Sequence, residues 1–402
     1  MKKLVAAAIA ICAIAVAGGS WATVKYWRNA GIERIHFERQ ETELVVVNLA
    51  VAPVLLFKSG ASLHDISEIK PFSGTRIYLP RGEYFLRADM QNQSAFYPIS
   101  ILGYRRGPDA DGSFAVTIRS PVSPAPPRSS AGLGDWAFIP SGSFVMGDRQ
   151  NPREPHYVWL PAFYLGAYEV SNAEFRQFLT DPQGLTDDSN WSDAGKKWKS
   201  ANPSNASALL KQSDQEFKRF GQDDQPVTQV SWFEAAAFCR WLTRRFGQGR
   251  WAFGLPSEAE WEKAARGPDG FDYALSPLLS DPESRLYNWK KNPDAPETVI
   301  GIAATRARFK PNRYGVYHLS GNVVEWTQTA ARPYNRDRPY ADDDGRNRVD
   351  LTEERVVRGG SWYSASIALL SVTYRDTFLP EVRHHDLGFR LVAKALPGPA
   401  ER

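Results

Sequence analysis

A proline-rich stretch limits the size of the units into which this chain can fold. Residues 121–134 read PVSPAPPRSSAGLG and contain four prolines. Proline lacks the backbone N–H that helices and sheets use, and the serines and glycines that follow supply little apolar surface. The stretch therefore predicts a semi-rigid linker between an N-terminal unit (23–120) and a main domain (135–396), with residues 397–402 as a tail.

Composition excludes several classes of protein. The chain has 402 residues, of which 43% are hydrophobic and 23% charged, so it is neither wholly disordered nor a multi-span membrane protein. The net charge of +4 gives no basis for nucleic-acid binding. The two cysteines are Cys12, in a hydrophobic leader, and Cys239. A single thiol in the folded part excludes an intrachain disulfide and a cysteine-cluster metal site.

The first 22 residues have the pattern of an export segment. Two lysines precede an uncharged run that begins at Leu4, and Ser20 and Ala22 form a small-residue cleavage pattern. The uncharged run continues to Val24, which is long enough to span a bilayer. The segment therefore predicts either a cleaved signal peptide or a single-span membrane anchor. In both cases we expect the rest of the chain to be periplasmic.

Residues 23–120 are predicted to form a small all-β sandwich. Short apolar runs occur at residues 44–47, 54–57, 96–102 and 114–118. Residues 75–88 alternate apolar and polar side chains around Pro80-Arg81-Gly82, a pattern typical of a hairpin. The segment 79–84 resembles the PEGA-type β-sandwich modules of bacterial surface proteins.

Serine and glutamate three residues apart predict where the helices of the main domain begin. The predicted helices are 171–179, 231–246 and 257–265, and the pairs are Ser171 with Glu174, Ser231 with Glu234, and Ser257 with Glu260. The rest of the domain is rich in Gly, Pro and Trp. This pattern predicts an α+β domain dominated by loops.

Seven motifs in a fixed order run through the main domain. They are FIPSGSFVMG (138–147), the segment 163–178, QPVTQVSW (225–232), LPSEAEWEKAARG (255–267), PNRYGVYHLSGNVVEW (311–326), RVVRGGSW (355–362) and GFR (388–390). In this order they resemble the sulfatase-modifying-factor family, whose type member is the formylglycine-generating enzyme. The resemblance implies a variant of the C-type-lectin fold with little regular secondary structure.

Several motif residues also have a structural interpretation. The glycines of RGGSW are expected to supply positive φ angles or close backbone approach. Arg266 and Arg390 are expected to tie loops together through buried carbonyls and carboxylates. The motif tryptophans are predicted to fill the core; they are Trp232, Trp261, Trp326 and Trp362.

The resemblance implies where copper would bind in the family's oxidase. That enzyme holds copper(I) between two cysteine thiolates shortly after RGGSW, and Ser364 and Leu369 occupy the matching positions here. Copper(I) requires soft thiolate ligands, which a serine and a leucine do not supply. Cys239 is expected to be a small core residue of a helix. We therefore expect neither copper binding nor formylglycine generation.

Two further parts of the sequence bear on metal binding. The resemblance implies a structural calcium ion at Gly321, Val323 and Glu325, although His318 replaces an oxygen ligand of the family. The interpretation as a calcium site stays open. His384 and His385 are adjacent, and in a strand their side chains would point in opposite directions. The pair is therefore expected to lie on the surface or in a ligand groove rather than to share a metal.

Two functions remain open for the main domain. The first is a non-catalytic recognition or regulatory module that binds a protein partner in the envelope. Its predicted binding loop contains Tyr334, Arg336, Arg338 and Tyr340, residue types that are frequent in binding hot spots. The second is an oxidoreductase of different chemistry, as in the siderophore-maturing branch of the family. Its catalytic candidates are Ser364, Tyr363, Tyr374, Arg375 and His384.

Overall fold

The computed structural model describes most of the main domain and the strands of the N-terminal unit. The described residues are 41–48, 53–58, 69–71, 75–80, 82–90, 94–101, 114–118, 125–126, 135–148, 155–202, 219–268, 270–276, 284–295, 298–335 and 337–396. The predicted export segment, most of the linker and the tail lie outside them. Among the helices of the described residues, none combines the length and the apolar character that crossing a bilayer requires.

The N-terminal unit contains two sheets that pack against each other. The first has the strand order β4 (Arg76–Pro80), β1 (Glu41–Asn48), β7 (Phe114–Ile118), and the second has the order β3 (Ile69–Pro71), β2 (Val54–Lys58), β5 (Gly82–Asp89), β6 (Ser94–Ile101). Leu44 and Leu79 of the first sheet share one buried cluster with Leu56, Leu86 and Ile99 of the second. The predicted all-β sandwich is confirmed for this part of the chain.

The hairpin predicted around Pro80 and Gly82 is wrong. β4 and β5 are strands, but β4 pairs with β1 in one sheet whereas β5 pairs with β2 and β6 in the other. A single residue separates β4 from β5, which is too short for the two-residue turn that closes a tight hairpin. The chain therefore passes from one sheet of the sandwich to the other at this point.

The described residues of the main domain form three small sheets. The first pairs β9 (Gly142–Met146) with β10 (His156–Leu160). The second has the order β12 (Trp251–Gly254), β17 (Val392–Ala395), β11 (Phe163–Gly166), β8 (Trp136–Ile139). The third, which carries the candidate site, has the order β15 (Asp376–Phe378), β14 (Arg355–Arg358), β13 (Val324–Ala330), β16 (Leu387–Gly388). Long irregular segments connect these elements, as the sequence predicts.

The three predicted helices are present and begin where predicted. They are α1 (Asn172–Thr180), α3 (Trp232–Phe246) and α4 (Glu258–Arg266), and each has a complete capping box with the serine and glutamate named above. Two further helices, α2 (Asp193–Ala201) and α5 (Ile302–Arg308), were not predicted. The structure therefore confirms a mixed helix and sheet domain with few helices.

Buried tryptophans and arginines hold the loops together. Trp232, Trp261 and Trp326 are fully buried, and Trp362 is nearly so, as predicted. Arg390 is also fully buried, and its guanidinium donates to the carbonyls of Gly166 and Tyr317, both at 3.0 Å. A planar guanidinium can serve several acceptors at once, so Arg390 joins segments of the domain that are far apart in sequence.

Candidate functional site

A cavity of about 210 Å³ opens beside the sheet that contains β14. Strand residues supply its apolar wall, and the segment that follows β14 supplies most of its polar groups. The lining residues used below are Val324, Val357, Ser361, Tyr363, Ser364, Leu369, Tyr374, Phe378, His384 and Asp386. The cavity is smaller than the roughly 300–1,000 Å³ of sites for drug-sized ligands. It therefore has room for one side chain or a comparably small group.

Gly360 allows the segment after β14 to fold back on itself. Its φ is +65°, and a Cβ at this position would lie 2.6 Å from the carbonyl oxygen of Leu369. A side chain would displace the turn of 3-10 helix Ile367–Leu370 that carries Leu369 to the cavity. The predicted need for glycine in the RGGSW motif is confirmed here.

The structure brings four of the five catalytic candidates to this cavity. Tyr363, Ser364, Tyr374 and His384 all line it. Arg375 does not: it donates to the Glu258 carboxylate at 2.7 Å and to the Arg332 carbonyl at 3.0 Å. Its guanidinium pairs with the buried Glu258 and does not line the cavity, so a catalytic role for Arg375 stays a prediction without support from this geometry.

The two positions that match the copper-binding cysteines also meet at the cavity. Ser364 is buried, and its Oγ accepts a hydrogen bond from the Ser361 N–H at 2.9 Å, whereas Leu369 presents an aliphatic side chain. Cys239 lies in the core on α3, and burial raises the pKa of its thiol well above the ordinary value. A hydroxyl and an isobutyl group do not fit copper(I).

His384, His385 and Asp386 form a turn rather than a strand, which overturns the expectation for the two histidines. The two imidazole rings lie on the same side, with centroids 4.1 Å apart. One ligand atom from each of the three residues lies within 4.8 Å of the others. The alternation of side chains that separates neighbours applies to extended strands alone. The conclusion that the histidines cannot share a metal was therefore wrong.

Hydrogen bonds orient the Asp386 carboxylate at the edge of the cavity. Asp386 is 8% exposed, its Oδ2 accepts from the Ser361 hydroxyl, and its Oδ1 is paired with Nδ1 of His384. The Ser361 Oγ in turn accepts from the Tyr363 N–H at 3.1 Å. The segment after β14 and the turn before β16 are thereby joined through polar side chains.

His385 lies among aromatic rings beside the cavity. Its ring is edge-on to Tyr363, with centroids 5.0 Å apart, and 5.4 Å from the ring of Trp362. Burial lowers the pKa of His385 below its ordinary value, the neighbouring His384 and Arg219 lower it further, and Asp386 opposes the shift. The neutral imidazole, with a free lone pair, is therefore the favoured form of His385.

The residues predicted to hold calcium do not fit that ion. Glu325 is fully buried, and Arg390 donates to it from Nε at 2.7 Å and from Nη2 at 2.6 Å. Trp261 donates to the same carboxylate at 2.8 Å. A guanidinium thus already supplies the positive charge that calcium would bring. Gly321 and Val323 were predicted to contribute backbone carbonyls. Without the Glu325 carboxylate, these two carbonyls do not make a calcium site.

The predicted binding loop is not a continuous exposed surface. Tyr340 is 4% exposed, and its N–H donates to His156 at 3.0 Å. The hydroxyl of Tyr334 donates to Glu258 at 3.2 Å. Arg338 is exposed, and Arg336 lies outside the described residues. Because the two tyrosines are packed into the domain, the structure contradicts their role as binding hot spots.

Sequence reasoning missed the roles of Ser361 and Asp386. The two residues are 25 positions apart and meet only because the segment after β14 folds back against the turn before β16. Ser361 lies within RGGSW, and Asp386 directly follows the histidine pair. A polar residue next to two histidines was the available signal for a ligand cluster.

Comparison with known proteins identifies relatives along most of the chain. Residues 123–395 match the family described as sulfatase-modifying factor enzyme 1-like domain. The chain is 28% identical over 350 residues to the formylglycine-generating enzyme of Bos taurus, which covers 73% of this chain and 85% of the bovine protein. It is 30% identical over 342 residues to the hercynine oxygenase of Mycolicibacterium smegmatis, with 78% of this chain and 72% of that protein covered.

A third relative carries a different description. The chain is 27% identical over 286 residues to a Mus musculus protein named inactive C-alpha-formylglycine-generating enzyme 2. The match covers 64% of this chain and 85% of the mouse protein. Relatives of this chain thus include proteins named as enzymes and a protein named as inactive.

Proposed function

Because the chain belongs to the sulfatase-modifying factor enzyme 1-like domain family and carries Ser364 and Leu369 at the matching copper positions, we propose that its main domain is a non-catalytic recognition module. The cavity receives one apolar or aromatic side chain of a protein partner. We also propose, from the leader sequence, that this recognition occurs in the periplasm, with the protein either soluble or anchored by its N-terminal segment.

The observation that carries the proposal is the replacement of both copper-binding positions within an intact cavity. Leu369 joins Val324, Val357 and Phe378 in an apolar wall, and Ser364 is held by the backbone of the same segment. A rigid cavity with an apolar wall and a few polar groups at its edge is the usual form of a binding pocket. The mouse relative named inactive supports the loss of catalysis within such a domain.

Site-specific photo-crosslinking tests the recognition function. Tyr363 is 45% exposed at the edge of the cavity, so a photoreactive amino acid at this position should crosslink to the partner in envelope extracts. The same amino acid at Asp350, which is exposed and pairs with Arg348 rather than lining the cavity, is the matched control and should give no crosslink. Leu369→Trp, which fills the cavity, should abolish crosslinking from position 363. Equal crosslinking from both positions, or crosslinking that survives Leu369→Trp, would contradict the proposal.

A copper titration tests the loss of the family's oxidase chemistry. The wild-type domain should show no thiolate-bound copper(I), whereas the double variant Ser364→Cys, Leu369→Cys should gain it because both side chains enter the same cavity. Tight copper(I) binding by the wild-type protein would refute this part of the proposal.

An oxidoreductase of different chemistry is the second candidate function. It is favoured by the joint presence of Ser364, Tyr374 and His384 at one cavity. Oxidation of a small molecule with O2 as the electron acceptor, reduced to H2O2, would favour this function over recognition alone if it is lost in Tyr374→Phe while the thermal stability of the domain is retained.

A further inference from the structure

Three consecutive residues beside the cavity offer metal ligands from a fixed backbone. The carbonyl of His384 accepts from the N–H of Gln229 at 2.9 Å and from the N–H of Leu387 at 3.1 Å. The carbonyl of Asp386 accepts from the N–H of Val324 at 2.8 Å. The turn is therefore held on both sides by other parts of the domain. A preorganised backbone lowers the entropy lost when the side chains bind a ligand.

The side chains of this turn have partners that are typical of an outer ligand shell. The Ser361 hydroxyl donates to one oxygen of Asp386, which orients the carboxylate and leaves its other oxygen toward His384. The rings of Tyr363 and Trp362 pack against the imidazole of His385 and restrict its rotation. Groups that orient ligands in this way commonly raise the affinity of a metal site.

The donor set selects a class of cation. Two imidazoles and one carboxylate suit Zn²⁺ and similar divalent transition metals, whereas Cu⁺ prefers thiolates and Ca²⁺ requires more oxygen ligands. The pairing between His384 and Asp386 does not prevent binding, because the imidazole nitrogen and the carboxylate oxygen that face each other can both coordinate one cation. The positive charge of Arg219, which acts on His385, opposes the cation and sets a limit on affinity.

We propose that His384, His385 and Asp386 bind a divalent cation of the zinc class, with a coordination position open toward the cavity. His384 and Asp386 both line the cavity, so a fourth ligand would approach from that side. Three protein ligands and one exchangeable ligand form a common arrangement for open zinc sites. The site does not depend on the recognition function, because the cation is bound by the domain's own side chains.

Titration of the untagged full-length protein with Co²⁺ tests this site. Four-coordinate Co²⁺ absorbs strongly in the visible range, and Zn²⁺ should displace it. We expect saturable binding of one ion per chain, with affinity reduced about tenfold or more in His384→Asn and in His385→Asn, and by a similar factor in Ser361→Ala. Asp350→Asn, which removes an exposed carboxylate that pairs with Arg348 and does not line the cavity, should bind as the wild type does.

The controls separate loss of the site from loss of the fold. Each variant is first compared with the wild type by thermal unfolding without metal, and His384→Asn and His385→Asn are used separately so that one folded variant suffices. Saturable absorption that is lost in a folded histidine variant supports the proposal. Absence of saturable binding in the wild type, or wild-type affinity in both histidine variants, would overturn it. The Co²⁺ titration does not depend on the partner, so a failed photo-crosslinking experiment would not change its outcome.

Discussion

Two buried carboxylates, one in a strand and one in the turn before the neighbouring strand, have opposite surroundings. Glu325 lies on β13, and Asp386 directly precedes β16, which pairs with β13 through Val324 and Leu387. Glu325 is neutralised by the permanent charge of Arg390 and has no exposure to solvent. Asp386 is paired with an imidazole and a hydroxyl at the edge of a cavity. The first acid is fixed by its partner, whereas the second can exchange its partner for a ligand.

The difference explains why the acid to which the family resemblance assigns a metal is poorly suited to bind one in this chain. A glutamate in a GNxWE motif indicates a ligand only if its carboxylate is free to bind one. Here Arg390 and Trp261 occupy both oxygens of Glu325. Burial of a charge requires a compensating partner, and a guanidinium meets that requirement without a metal.

The largest effect is expected when the first of the two carboxylates, Glu325, is changed, because this change should destabilise the domain. Glu325→Gln leaves the charge of Arg390 buried without its counterion, and we expect it to lower the free energy of unfolding by about 3–5 kcal/mol. Chemical denaturation measures the change. Glu353→Gln is the control, because Glu353 pairs with Arg332 at the surface and should cost at most about 1 kcal/mol. Equal losses in the free energy of unfolding for Glu325→Gln and Glu353→Gln would contradict the distinction between the buried and the surface ion pair.

A second acid near Arg390 should make stability depend on pH. Burial raises the pKa of Glu169 to about 7, Arg390 opposes the shift, and Glu325 reinforces it. The folded state therefore binds a proton more tightly than the unfolded state, in which the pKa is near 4.5. With respect to this group, stability should be greatest below pH 4.5 and should fall as the pH rises through 7, by about 3 kcal/mol in total.

The matched variant for this pH effect is Glu169→Gln. It keeps an acceptor for the Asn322 side chain, which donates to Glu169 at 2.9 Å, and it removes the titrating group. Urea denaturation between pH 4.5 and 8 should show a flatter dependence for the variant than for the wild type. If stability changes with pH in the same way in the wild type and in Glu169→Gln, the pH dependence belongs to a group other than Glu169.

The cavity segment should be sensitive to a single methyl group. Gly360→Ala places a Cβ 2.6 Å from the Leu369 carbonyl and imposes a positive φ on a non-glycine residue, which should cost about 1–3 kcal/mol. Differential scanning calorimetry would report the loss as a lower Tm. Gly315→Ala is the control for φ alone, because its φ is +84° and a Cβ there meets no atom within 4 Å. A larger cost at Gly315 than at Gly360 would contradict the steric explanation.

The smallest effect is expected at the second carboxylate of the comparison. Asp386→Asn keeps an oxygen that can accept from Ser361, so we expect a loss of about 1 kcal/mol in the free energy of unfolding without metal. The same denaturation assay as for Glu325→Gln makes the two values directly comparable. A cost at Asp386 as large as that at Glu325 would show that the turn is structural rather than adapted to ligands.

Local sequence rules predicted the helices whose start signals are complete. Each of the three Ser-x-x-Glu pairs became a capping box, because the pairing is decided within one turn of chain. Helix α2 was missed although Ser192 caps it, because its sequence DAGKKWKSA contains Trp198 as its single large apolar residue. Its tryptophan packs on Phe233 of α3, a contact that no local pattern contains.

The candidate site was predictable in part. The motif order located the segment after β14, and the positions of Ser364 and Leu369 followed from it. The place of Asp386 at the edge of the cavity was not predictable, because its hydrogen bond with Ser361 joins residues that are distant in sequence. The histidine pair was misinterpreted because the rule for strands was applied to residues that form a turn. The tyrosines of the proposed loop were misjudged since aromatic side chains serve cores as well as interfaces.

Arg390 has a consequence for the order in which the domain forms during synthesis. Its guanidinium contacts Gly166, Tyr317 and Glu325, so its partners are made long before it leaves the ribosome. Until residue 390 is available, the carboxylate of Glu325 lacks its counterion and the surrounding loops lack their common donor. Native contacts of this sequence separation also slow folding, because long chain segments must be ordered together. The contacts of Arg390 can therefore form only after almost the whole domain has been synthesised, because residue 390 lies near its C-terminal end.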